Sequence, residues 1–179
     1  KTLHPDNIDL NDQKVYKNIF HKGKFAGVFQ FTNTGAQKLS IKSKPTDIID
    51  ISAITSIYRP GPLSAGVDKL YVKAKRSGDT FYHNDIIEEV AKETYGFLIF
   101  QEQIALLAHK LGDSITLEEG NKLRKLLTKK GTGKGNEEKT SIRDRFIKGC
   151  VGKRMDKKDA EDLWQKFEYF SGYGFNKSH

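Results

Sequence analysis

Glycine and proline cut this chain into short segments, and most segments carry apolar residues at helical spacing. Ile48, Ile49, Ile51, Ile54 and Ile57 show the pattern best, that of a helix with one buried face. Thr46 is placed to cap this helix, which runs to Tyr58. Arg59-Pro60-Gly61-Pro62 must stop it. Pro60 biases Arg59 out of the helical region, and two prolines around a glycine predict a stiff, exposed turn. Val67, Leu70, Tyr71 and Ala74 share a face of a helix expected over 64–76, ended by Gly78. Further helices are expected at 11–20, 84–93, 98–111, 139–150 and 157–170. Another runs from 116 to 130, opened by a Thr116/Glu119 capping box. Phe25-Ala26-Gly27-Val28-Phe29-Gln30-Phe31 reads as a strand or an extended loop. The expected fold is therefore mainly α: an irregular multi-helix domain over 1–179 with a short extended segment near 25–31. Gly131–Gly135 is the one plausible hinge, inside a mobile basic loop at 131–138.

Composition matters chiefly through charge. The 179 residues carry 31 Lys/Arg against 23 Asp/Glu, a formal +8. Residues 121–158 hold 14 Lys/Arg against four acids, while the other 141 residues sum to −2. A local cationic block of this kind is the footprint of a polyanion partner, because phosphate binding releases condensed counterions. The bland alternative is a solvated helix face. With 36% hydrophobic and 11% aromatic residues, disorder throughout is excluded. The longest apolar runs, Phe97–Phe100 and Ile104–Ala108, fall far short of the ~20 residues that span a bilayer. The single Cys150 excludes an internal disulfide and fits a reducing, cytoplasmic compartment. The chain opens without Met and stops at Asn176-Lys177-Ser178-His179, so a piece of a longer polypeptide is expected.

Several chemistries fail on their residues. Cys150 has no histidine nearby in sequence and reads as a small buried helical residue. The histidines lie far apart, and no metal-ligand spacing appears. Asp47/Asp50 and Asp159/Asp162 sit near helix starts, where carboxylates offset the macrodipole. Gly131–Gly135 is no phosphate loop, since Gly135 stands where Ser or Thr should follow Lys134. Two strings remain. In Leu123–Lys130 the cations Arg124, Lys125, Lys129 and Lys130 crowd a helix C-terminus. They either grip a triphosphate or simply complement the dipole. Tyr173-Gly174-Phe175-Asn176-Lys177-Ser178-His179 groups aromatics with donors, which suits stacking on a base and bonding its edge or phosphate.

Five strings stand in one order: Gly27-Val28-Phe29-Gln30-Phe31; Tyr58-Arg59-Pro60-Gly61-Pro62; Thr94-Tyr95-Gly96 with Gln101-Glu102-Gln103; Leu123-Arg124-Lys125 with Lys129-Lys130; and the closing Tyr173–His179. In this order and spacing the chain resembles the fingers region of the bacterial DNA polymerase III alpha subunit, the C-family replicative polymerases. The resemblance covers residues 8–179 and is that of a distant or phage-borne member. Lys125 stands where the family usually has a second arginine, and Leu127 and Thr128 where it has small residues.

The resemblance implies part of a DNA-directed DNA polymerase, a nucleotidyltransferase of DNA replication, with the fragment alone inactive. Catalytic aspartates and their Mg²⁺ would belong to a palm absent from this chain, so no catalytic or metal-binding residue is expected here. The resemblance implies nucleotide binding by Arg59, Arg124, Lys125, Lys129, Lys130, Asn176, Lys177, Ser178 and His179. DNA contacts are expected from Gln101, Lys134, Arg143 and Arg145. Partners would be primer-template DNA, deoxynucleoside triphosphates and, through the rest of the parent chain, a sliding clamp and other replisome subunits, with no membrane. The alternative is a non-catalytic helical DNA-binding module from a degenerate polymerase homologue.

Overall fold

A computed structural model describes residues 4–128, 134–171 and 174–177. Ten α-helices follow one another among these residues, and strand pairing is confined to one isolated bridge. The expectation of a mainly α fold holds. The chain divides into two compact units, 1–78 and 79–179. The division falls at Gly78, the helix end with φ +67.

In the first unit, α1 (Gln13–Val15) continues as a π-helical turn, Tyr16–Phe20. The aromatic string that follows is not extended. Val28 N–H bonds Phe25 O and Phe31 N–H bonds Val28 O, making two successive turns. Gly27 (φ +77) and Gln30 (φ +63) supply the left-handed residues these turns require. The turns fold Phe31 back onto Phe25, ring centroids 5.3 Å apart, and both rings pack against Phe20. Burying three rings locally outweighs the β-propensity of the string.

Helix α2 (Thr34–Ser43) falls where the sequence reading assigned no element. Its buried positions are Ala36, Leu39, Ser40 and Ser43. The spacing is helical, but two serines on the inner face hide the apolar pattern. Asn33 caps it, accepting from Gly35 N–H at 2.8 Å.

Helix α3 (Ile48–Ile57) is capped by Asp47, whose side chain accepts from Asp50 N–H. The expected cap, Thr46, instead gives its N–H and hydroxyl to Asp50. The Arg59–Pro62 string does end α3, but it is no exposed turn. It opens a further helix, α4 (Pro60–Ser64), with proline in its first turn and Pro62 buried. Proline is tolerated there because the first N–H groups have no intrahelical partner.

Helix α5 (Val67–Ser77) buries Val67 and Tyr71. Asp50, only 1% exposed, accepts from Lys75 Nζ at 2.6 Å and from Tyr71 Oη at 2.9 Å. Its carboxyl lies below the usual range. Burial would raise it, but the hydrogen bonds from Lys75 and Thr46 overcome that effect. Asp50, expected to offset the helix dipole, thus ties α3 to α5.

In the second unit, α6 (Asp85–Ala91) leads through a 3₁₀ turn, Lys92–Thr94, into left-handed Tyr95 and Gly96. Helix α7 (Gln101–Leu111) is the axis: Ile104, Leu107, Ala108 and Leu111 are fully buried. Around it pack α8 (Leu117–Thr128), α9 (Lys134–Gly152) and α10 (Lys157–Ser171). Trp164 packs in this core against Phe146 and Phe167, which also touch each other. Cys150 is buried too, and burial pushes its thiol up to about 12. It is an inert core residue, as its sequence context implied. The Thr116/Glu119 capping box is present, with Glu119 N–H bonding Thr116 Oγ1 and Thr116 N–H bonding Glu119 Oε2. Residues 134–138, part of the expected basic loop, are helical; 131–133 lie outside the described residues.

Candidate functional site

Helix α7 starts at Gln101, three residues later than expected, because a buried amide claims the residues before it. Gln103, 4% exposed, accepts from Ile99 N–H and Phe100 N–H, both at 2.9 Å. Its Nε2 donates to Val90 O at 3.1 Å and Thr94 Oγ1 at 2.7 Å. Both ends of the side chain are satisfied, as burial requires. The Thr94-Tyr95-Gly96 string is thereby tied to the Gln101-Glu102-Gln103 string.

This geometry frees the backbone at 99–101 to pair with the closing string. Phe175 N–H bonds Ile99 O at 3.0 Å, and Gln101 N–H bonds Phe175 O at 2.9 Å. Phe100 and Phe175 form a parallel bridge. The extended segment therefore lies at 98–100 and not at 25–31.

On this frame sits a polar chain. Arg124, on α8, donates from Nη1 to Gln101 Oε1 at 2.8 Å. Gln101 donates from Nε2 to Gly174 O at 2.9 Å. Lys177 N–H bonds Glu102 Oε2, and its ammonium pairs with Glu93 at 2.6 Å and lies 5.6 Å from the Phe100 ring centroid. Gly174 is needed for this approach, since a Cβ there would lie 2.8 Å from Gln101 Cγ.

Three of the five strings thus meet at the Gln101 side chain, which accepts from Arg124 and donates to Gly174 O. Sequence reasoning singled out Arg124, Gln101, Asn176 and Lys177 but assigned no role to Gln103, Glu93 or Glu102. The available signal for Gln103 was an amide inside an otherwise apolar run. Lys125 lies on the same helix and is exposed. Lys129, Lys130, Ser178 and His179 lie outside the described residues, and Lys134 begins α9.

Arg145 and Arg143 are engaged in ion pairs. Arg145 pairs with Glu119 and also donates to Ser114 O at 3.1 Å. The Arg145 hydrogen bond, helped by Thr116 N–H, lowers the Glu119 carboxyl to about 2. Arg143 lies 3.6 Å from Asp144 and 4.0 Å from Glu161. Arg59 belongs to the first unit, where its Nε donates to Ser56 O at 3.0 Å and burial lowers its pKa. Among the described residues no three carboxylate, imidazole or thiol groups gather as a metal site would need, and no helix is long and apolar enough to cross a membrane.

Fold and site together define a helical chain whose second unit carries a polar cluster of Gln101, Arg124 and Gly174. The chain matches the family described as the bacterial DNA polymerase III alpha subunit finger domain over residues 1–166. It is 37% identical over 173 residues to the DNA polymerase III subunit alpha of Aquifex aeolicus, covering 96% of this chain and 14% of that protein. The same subunit from Campylobacter jejuni is 36% identical over 175 residues, 97% of this chain and 14% of its own. That from Pseudomonas aeruginosa is 35% identical over 188 residues, 100% and 16%. The chain belongs to the finger-domain family of bacterial DNA polymerase III alpha subunits. It spans about one seventh of the length of these relatives.

Proposed function

We propose that this chain is the part of a replicative DNA polymerase that holds the incoming deoxynucleoside triphosphate beside the primer-template. Family membership supports the class of reaction. The convergence of Arg124, Gln101 and residues 174–177 supports the place. A guanidinium oriented by a neighbouring amide suits phosphate oxygens, which it meets in a planar fork. Developing negative charge on a transferring phosphoryl group is stabilised by such fixed cations. Among the described residues no three carboxylate, imidazole or thiol groups gather, and no metal-dependent step is assigned to them. Magnesium would be held by carboxylates elsewhere in the parent, which would also carry the clamp and replisome contacts and work in the cytoplasm.

The test is primer extension by the parent polypeptide, wild type against Arg124→Ala, with dNTP titrated. Hydrogen bonds to charged groups are worth ~1.5–3 kcal/mol, so kcat/KM for dNTP should fall roughly 10- to 150-fold. DNA affinity should hold. Loss of DNA affinity with dNTP use unchanged would make Arg124 a backbone contact and refute the placement. No extension by the wild-type parent would favour the non-catalytic DNA-binding alternative.

A further inference from the structure

Division of the chain into its two units redistributes the charge. Residues 1–78 carry 13 Lys/Arg against six Asp/Glu, a formal +7, and residues 79–179 carry 18 against 17, or +1. The cationic window at 121–158 is offset inside its own unit by acids. Lys122 pairs with Glu138, Lys139 with Glu168, Arg145 with Glu119 and Lys148 with Asp113. In the first unit the ion pairs among the described residues are Lys75–Asp50, which is buried, and His4–Asp6. Of the other acids there, Asp12 and Asp47 serve as helix caps and Asp68 lies in the first turn of α5.

Six of the exposed cations left over lie on or beside α2. Lys38 and Lys42 stand four apart on α2, so they share a face. Gly23 packs on Ile41, with a Cβ there 3.0 Å from Ile41 Cδ1, which sets Lys22 and Lys24 beside that face. Arg76 donates to Lys42 O at 2.7 Å, and Lys44 is the C-cap of the same helix. All six are exposed and none forms an ion pair among the described residues. Dipole compensation explains cations near the end of α2, but not Lys22, Lys24 or Lys38.

We propose that this face of the first unit, formed by Lys22, Lys24, Lys38, Lys42, Lys44 and Arg76, binds the phosphodiester backbone of nucleic acid. It rests on the polymerase reading only for the nature of the polyanion. Backbone binding needs spaced cations that are not already neutralised, and this face holds six of them. No sequence discrimination is expected, because phosphate contacts position without reading bases.

The experiment measures primer-template affinity of the parent polypeptide by fluorescence anisotropy across a salt titration. The wild type is compared with the combined variant Lys22→Gln, Lys24→Gln, Lys38→Gln, Lys42→Gln. Each phosphate contact adds about 0.9 to the slope of log K against log salt. The variant slope should therefore shrink by about 3 to 4, with affinity roughly tenfold weaker or more and equal across DNA sequences. An unchanged slope and affinity overturns the proposal. If the combined variant melts early, Lys38→Glu and Lys42→Glu, made singly, should each lower the slope by about 1 or more. A polyglutamate peptide that binds wild type and not the variant, with DNA binding unaltered, would reassign the face to an acidic protein and overturn the proposal. The Arg124→Ala test reads dNTP dependence and this one reads DNA salt dependence, so either reading can fail alone.

Discussion

Gln103→Leu should damage the second unit far more than its conservative volume suggests. The side chain is 4% exposed and makes four hydrogen bonds. Leucine fits the space but leaves the buried N–H groups of Ile99 and Phe100 without an acceptor. Each orphaned group costs ~1–3 kcal/mol, and the apolar gain from leucine offsets part of that. The net loss should be about 3 kcal/mol. With a urea m-value of ~1–3 kcal/mol/M, the midpoint should fall by roughly 1–3 M. Trp164 is the sole tryptophan and lies in the core of this unit, so its fluorescence reports the transition. Gln101→Ala is the matched control. Gln101 is half-buried and its partners can reach water, so its removal should cost below about 1 kcal/mol. If Gln103→Leu shifts the midpoint no more than Gln101→Ala, the buried amide is not what holds residues 99–101, and the account of the site frame fails.

Gly120→Ala should destabilise the same unit by about 1–3 kcal/mol, because its Cβ would lie 2.5 Å from Ala105 O, a backbone atom of α7 that cannot rotate away; an unchanged or higher Trp164 midpoint would count against that close helix crossing. Glu119→Gln addresses pH. The Glu119 carboxyl is lowered from 4.5 to about 2, so its contribution is present above pH 4.5 and is lost as pH falls toward 2. The stability gap between wild type and variant, about 1 kcal/mol or less for so exposed a pair, should be widest near neutrality and close in acid; urea midpoints between pH 7 and pH 3 that keep a constant gap would contradict it.

Helix positions were legible wherever one apolar face met a clear stop. α3, α5 and the core of α7 announce themselves through isoleucine, leucine and glycine placement. α2 did not, because Ser40 and Ser43 occupy its buried face. The proline string was read as a stop and is also a start, since proline suits the first turn of a helix as well as it breaks an interior. The 25–31 string turns instead of extending because two left-handed residues and the packing of Phe25 and Phe31 with Phe20 override local β preference.

The sequence by itself determined the class of fold and the family, because helical periodicity and ordered short strings are local properties of the chain. It also named Arg124, Gln101 and the closing string, without showing that they touch. Only the tertiary structure decided that these residues share one frame, since the Gln101–Gly174 bond joins positions 73 apart. It decided the charge map as well. Several cations in the 121–158 window met acids of their own unit, while the six on the α2 face of the first unit did not. Net charge adds along a sequence, but an electrostatic surface depends on which charges fold within a few ångströms of each other.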